Sequence, residues 1–268
     1  MGTCYHNRAM KILVVTQIID EKDPVLGFFC EWVRAFSEKC EHITVVCLKK
    51  GEYYLPANVD VISLGKEIKP ASSFRYLIRL KMISWKLRRE YDAVFCHMNP
   101  EYILAGALLW KMLGKKISFW YAHSTVSFRL RVAVFLSDIV LTSTNEGLKV
   151  KTKKKKVIGQ GIDTEIFSPA PKDSSGNILH MVTVGRISPS KDYDTIVDAC
   201  AALSKEKIDY RLDIIGAPGT KGQESYLALL EKKVEDLKLS EKIYFLGPKS
   251  QRDIIPYLQN ADILSARD

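Results

Sequence analysis

Short runs dense in Val, Ile and Leu return along the chain, separated by stretches of helical length, and this alternation constrains the fold more than any other feature. KILVVTQ (Lys11 to Gln17) opens the series, HITVVCL and VDVISL follow, and YDAVFCH, KISFWYAH and SDIVLTS continue it. Between them lie a helix carrying Phe29, Val33 and Phe36, the stretch FRYLIRLKMISWKLRR from Phe74 to Arg89, EYILAGALLWKML from Glu101 to Leu113, and a further helix through Val134. Strands that are apolar throughout are covered on both faces, so the pattern predicts an α/β fold around a parallel sheet. Glu101 to Leu113 is too short to cross a bilayer and is expected to form a buried helix.

From Lys151 to Asn177 the composition shifts to a lysine run, a short strand, and then Gly, Pro, Asp and Ser. A domain boundary is expected near Ser168 to Asn177, dividing the chain into residues 1–170 and 171–268. The alternation then restarts. ILHMVTVGR, YRLDIIG, KIYFLG and ADILS read as four strands, joined by helices from Asp192 to about Leu203, from about Glu224 to Leu237, and around Ile254 to Leu258. The elements that would complete this second sheet do not follow ADILS, so the second domain is expected to be incomplete, its last strand an uncovered edge.

In 268 residues, a hydrophobic share of 47% and a charged share of 26% describe a globular chain able to bury a core, not a disordered one. The net charge of +9 admits nucleic acid, an anionic membrane surface or phosphorylated small molecules as partners. The lysine run has no interleaved aromatic residue and no nucleic-acid module around it, which makes nucleic acid an unfavoured partner and a solvated turn before a strand the better reading. Residues 74–89 hold six basic residues and no acidic one. They fit an anionic membrane surface, or a solvated basic face on a helix packed against the sheet. The six cysteines form no C-x-x-C pair, so neither a zinc site nor a disulfide framework is expected and a reducing cytoplasm is the simple inference. MGTCYHNRAM has no apolar core long enough for a signal peptide, so none is expected in it, and Met10 is an alternative start to Met1.

MVTVGRISPSKD, from Met181 to Asp192, carries the chemistry. An apolar strand runs into Gly185 and Arg186, crosses a polar loop and reaches Lys191 where a helix begins. Gly185 would permit a sharp turn, Asp192 would cap the helix, and a guanidinium and an ammonium beside a helix N-terminus would hold a diphosphate. The same residues also fit an ordinary strand-to-helix connection with a surface Arg and Lys. Asp192-Tyr193-Asp194 mimics a D-x-D metal motif, but acidic residues belong in a first helical turn, so capping is expected and no metal.

Taken in order, KILVVTQ with its VLGFF loop, YDAVFCHMNP, WYAHS, GQGIDTEIF, VGRISPSKDYDTIVDA, LDIIGAPG and YFLGP followed by IPYLQNADIL resemble the retaining, nucleotide-sugar-dependent glycosyltransferases of family four, also called group one. The resemblance implies the GT-B fold: two Rossmann-like domains facing each other across a cleft, here with the second incomplete. It implies that the second domain holds the nucleoside diphosphate sugar, as donor substrate and not as cofactor, while the first receives a glycan or glycolipid acceptor. By resemblance Arg186, Lys191 and Gly27 bind the donor diphosphate, His123 contacts the transferred sugar as the catalytic residue, and Gly216 and Gly247 border the nucleotide. His97, also at a strand end, has no role assigned.

Family members continue into an acidic segment in which two glutamates seven residues apart hold the sugar and the ribose. That segment is not in this sequence, which is read either as a fragment of a longer product or as a degenerate, non-catalytic module binding phosphorylated ligands or membrane. The activity expected is metal-independent sugar transfer with retention, in cell-envelope glycan synthesis at the cytoplasmic membrane face. A nucleic-acid binder and a sugar phosphorylase are the other classes the chain admits.

Overall fold

The computed structural model describes residues 10–69, 71–171 and 178–265. Residues 1–9, on which the choice between Met1 and Met10 as the start bears, lie outside the described residues, as do residues 172–177 of the expected boundary. The chain divides into two compact units, residues 1–161 and 162–268. The division thus falls after Gly161, before the expected position at residue 170, and cuts GIDTEIF behind its glycine, so that IDTEIF belongs to the second unit.

Seven parallel strands form the sheet of the first unit: β1 (Met10–Ile19), β2 (Cys40–Lys50), β3 (Val59–Ser63), β4 (Ala93–His97), β5 (Lys116–Trp120), β6 (Ile139–Thr142) and β7 (Lys155–Val157). Their order is β3-β2-β1-β4-β5-β6-β7, so the winding reverses between β1 and β4. Side chains alternate across a strand, and β1 serves two cores. Val14 packs with Phe29 and Val33 of α1 (Phe28–Ser37), whereas Leu13 and Val15 join Leu80, Ile103 and Leu130 from the opposite face. Those three residues come from α2 (Ser73–Lys86), α3 (Pro100–Met112) and α4 (Phe128–Leu136), which lie side by side.

The buried helix expected at Glu101 to Leu113 is buried on one side only. Ile103, Ala107 and Trp110 face the sheet, but Leu108 and Met112 on the opposite side are exposed.

The lysine run is more than a solvated turn. Lys154 Nζ donates to the carbonyls of Phe135 and Ser137 at the end of α4, at 2.6 and 2.7 Å, where a cation meets the negative end of the helix. Lys155 and Lys156 lie on β7, the edge strand, where lysine discourages pairing with another chain.

The second unit has four parallel strands, β8 (Leu179–Val184), β9 (Tyr210–Ile215), β10 (Ile243–Gly247) and β11 (Ile263–Leu264), in the order β10-β9-β8-β11. Here the winding reverses between β8 and β11. The core is made by Leu212 and Ile214 with Val197 of α5 (Tyr193–Lys205) and Leu230 and Val234 of α6 (Lys221–Asp236). α7 (Gln251–Asn260) has no buried residue, and Ile263 and Leu264 of β11 are exposed. Among the described residues all five cysteines are free thiols, and burial pushes Cys30 to about 11 and Cys47 to about 12.

Candidate functional site

In open parallel sheets ligands collect at the carboxyl ends of the strands beside the point where the winding reverses. In the second unit that edge is a row of glycines. Gly185 N–H donates to the Ile215 carbonyl at 2.9 Å and Gly216 N–H to the Gly247 carbonyl at 3.0 Å, so the loops after β8, β9 and β10 are laced together. A Cβ at Gly216 would stand 1.8 Å from the Gly185 oxygen, and Gly216 and Gly247 both have positive φ. The sharp backbone requirement expected at Gly185 therefore sits at Gly216. Gly185 is not among the positive-φ glycines and instead presents its carbonyl to Tyr193 Oη at 3.1 Å.

Arg186 follows directly and is exposed, its side chain running beside Gly219, where a Cβ would meet Arg186 Cδ and Nε at 3.6 Å. Ile187 and Ser188 turn inward and are buried, and Ile187 N–H donates to the Ala217 carbonyl at 3.1 Å. A 3-10 turn at Pro189–Lys191 then brings Lys191 to the start of α5. The loop after β9 ends at Thr220, whose hydroxyl accepts from Gln223 N–H while Gln223 Oε1 accepts from Gly219 N–H at 2.7 Å. This near-capping-box fixes the start of α6 at Lys221, earlier than the expected Glu224; Thr-x-x-Gln in the sequence is the signal that would have located it.

Asp192 does not cap α5 with its side chain. Its backbone is left-handed, at φ 54 and ψ 44, and the residue works as a hinge between the 3-10 turn and the helix, a conformation Asp tolerates better than most residues. Asp194 is committed to packing: it accepts from Tyr226 Oη at 2.7 Å and pairs with Lys233, which also holds Asp198 at 2.7 Å. Burial first, and then the Asp194 carboxylate, raise the Tyr226 phenol above its ordinary range. Of the D-x-D pair it is Asp194 that ties α5 to α6. Among the described residues no group of three or more His, Cys, Asp or Glu is placed to hold a metal.

In the first unit His97 is the last residue of β4, while Gly27 and His123 lie in the loops that follow its two neighbours in the sheet, β1 and β5. Gly27 opens α1 with helical backbone, and a Cβ there would lie 2.7 Å from the Asp23 oxygen and 2.8 Å from the Glu21 oxygen. Its glycine is accounted for by the tight Glu21–Gly27 loop itself. Arg34 holds that loop through Glu21 and through the Tyr54 carbonyl, at 2.7 Å from Nη2.

His123 is exposed and well oriented. Its N–H donates to the Gly147 carbonyl at 2.8 Å, and Nδ1 accepts from Thr125 N–H at 3.1 Å. A neutral ring accepting at Nδ1 carries its proton on Nε2, which makes Nε2–H the donor it can offer a ligand.

His97, by contrast, is a core residue, only 1% exposed. Its ring stacks on Phe29 at 4.3 Å between centroids, Nδ1 meets Thr16 Oγ1 at 3.2 Å, and buried Nε2 has no partner. Burial lowers its pKa to about 4, so the ring is neutral at neutral pH. Sequence reasoning missed the neighbouring strain: Met98 has φ 64, and Asn99 N–H donates back to the His97 carbonyl at 2.8 Å across it. That three-residue turn is uncommon for a side-chain-bearing residue.

Residues 164–266 match the family model for glycosyl transferases group 1. They include the Gly185–Arg186 loop, both strand-end glycines and Lys191. D-inositol 3-phosphate glycosyltransferase of Mycolicibacterium smegmatis is 27% identical over 116 residues, 41% of this chain, and that of Corynebacterium glutamicum (strain R) is 27% identical over 119 residues. The chain covers 26% and 28% of the length of these relatives.

Among solved structures, Anabaena HepE in complex with UDP-glucose superposes with a TM-score of 0.71 at 17% identity, over 97% of this chain and 74% of that one. WaaG, a glycosyltransferase involved in lipopolysaccharide biosynthesis, gives 0.64 at 12% identity over 94% and 74%. The UDP-GlcNAc 2-epimerase of Methanocaldococcus jannaschii gives 0.57 at 14% over 95% and 78%. The fold is α/β with parallel, Rossmann-like sheets, shared with GT-B glycosyltransferases.

Proposed function

We propose that the chain is a glycosyltransferase that moves a sugar from a nucleoside diphosphate donor to a glycan or lipid-linked acceptor, with retention and without a metal. The observation that carries this reading is Arg186, an exposed guanidinium beside the Ala217–Gly219 loop at a glycine-lined strand edge, inside the segment matched by the family model. A guanidinium binds a diphosphate bidentately, and a preorganised cation gains most as negative charge grows on the departing diphosphate. Lys191 would add a second cation from the start of α5. Gly216 and Gly247 would let the nucleotide approach the backbone, and His123 Nε2–H would donate to a hydroxyl of the transferred sugar. The Gly27 loop would border the donor phosphates.

The setting we infer is the cytoplasmic face of a membrane, with the basic segment 74–89 attracted to anionic lipid. No helix among the described residues is long and apolar enough to cross one. Uridine is the first donor base to try, because HepE was solved with UDP-glucose and with UDP.

Calorimetric titration of the purified chain with UDP and GDP in chelator-treated buffer tests the reading. Binding should appear for one of them, and Arg186→Ala should weaken it by about 1.5–3 kcal/mol, the range for hydrogen bonds to a charged group. Equal affinity in the variant would remove the diphosphate assignment. Binding without turnover of any nucleotide sugar would leave a non-catalytic phosphate-ligand module, and a donor epimerised without transfer would point to the epimerases that share the fold.

A further inference from the structure

α2, α3 and α4 cover one face of the first sheet, and each turns an apolar stripe away from it. On α2 the residues facing the sheet are Tyr76, Leu80 and Ser84, while Met82 and Trp85 lie on the opposite side of the helix. On α3 the outward pair is Leu108 and Met112, one turn apart, and on α4 it is Phe128 and Phe135, two turns apart. All six side chains are more than half exposed. Single exposed apolar residues are ordinary, but stripes on three adjacent helices facing the same way are not, and an apolar surface of that kind marks an interaction site.

Charge identifies what it fits. The three helices carry seven Lys or Arg and one carboxylate, Glu101, which Arg129 already pairs at 3.2 Å. Arg88 lies 4.6 Å from the Trp85 ring centre, and the Lys154 ammonium 5.6 Å from that of Phe135, so cations flank the aromatic rings. Bulky apolar groups outermost and cations around them match the acyl region and the phosphate layer of an anionic bilayer.

We propose that the outer face of α2, α3 and α4 docks on anionic lipid and inserts its apolar side chains into the acyl boundary. The claim goes beyond attraction of the basic segment 74–89, because it requires α3 and α4, and it stands independently of sugar transfer.

The full chain is mixed with phosphatidylcholine vesicles, with and without phosphatidylglycerol, and bound protein is read by co-sedimentation. Binding to the anionic vesicles is expected, with a part that survives high salt, since salt screens charge but not apolar insertion. The double substitution Leu108→Glu/Met112→Glu changes only solvent-facing positions of α3 and should weaken binding by about tenfold or more, from the lost burial of two large apolar groups. An unchanged thermal midpoint establishes that the variant is folded. Acyl-brominated lipid should quench wild-type fluorescence more than that of Trp85→Phe.

Three results would overturn the proposal: no binding to anionic vesicles; binding that high salt abolishes and the α3 variant leaves intact; or a concentration-dependent dimer in sedimentation that the α3 substitutions dissociate. The second would restrict the contact to electrostatics at residues 74–89, and the third would make a second copy of the chain the occupant.

Discussion

His97 makes a measurable demand on the first unit. Its folded pKa of about 4 lies below the ordinary histidine value of 6.5, because burial penalises the charged ring. Between those two pH values the unfolded chain binds a proton that the folded chain refuses. The stabilising contribution is therefore complete above about pH 6.5 and lost as pH falls through 4, and amounts to roughly 3 kcal/mol. Urea titrations at pH 7 and pH 4.5 should show wild type losing most of this, whereas His97→Phe should lack the histidine component of the loss. A variant that loses as much as wild type would place the acid sensitivity elsewhere. The sequence put both His97 and His123 at strand ends but could not tell a stacked, buried ring from an exposed one. That difference is made by Phe29 and Thr16, which lie far from His97 in the chain. The left-handed Met98 was equally illegible, since methionine carries no preference for that backbone.

At the scale of elements, strand and helix order could be read from local periodicity, because a covered strand and an amphipathic helix each impose a repeat on the side chains. Element ends were harder, as at α6, where the cap and not the apolar pattern sets the first turn. The lysine run illustrates a second limit. Composition marks it as basic, but only the fold brings Lys154 to the end of α4. Lys154→Met should destabilise the first unit by about 1–2 kcal/mol through two carbonyls left without their charged donor. Lys153→Met, at an exposed neighbour, should stay within about 0.5 kcal/mol of wild type. Equal effects of the two in chemical denaturation would show that the lysines act through net charge. α3 misled for a related reason: a helix apolar nearly all round reads as buried, and the pattern alone cannot reveal that one side of it has no neighbour.

For the whole molecule, the division at Gly161 means that stability is a property of two units, each with its own core. If Arg186 and Lys191 of the second unit supply most of the diphosphate binding, ligand should stabilise that unit more than the first, by up to about 2.7 kcal/mol at a hundredfold excess over Kd. Scanning calorimetry with and without UDP would read this, and an equal shift of both transitions would contradict it. The two-domain plan was legible because the alternation breaks and restarts; the boundary was not, because GIDTEIF is too short to carry a periodicity of its own.

The crowding at Gly216 bears on how a mutational library of this chain should be interpreted. Every codon change that replaces glycine adds a Cβ, and here the added atom would land on the Gly185 carbonyl whatever the selection rewards. Position 216 would come up blank even in a screen scored only for expression, and could then be mistaken for a nucleotide contact. Arg186 is the opposite case, since an exposed side chain should vary when only folding is selected and become invariant when ligand is. The contrast between the two maps, and not depletion in either one, is what would separate residues that build the edge from residues that use it.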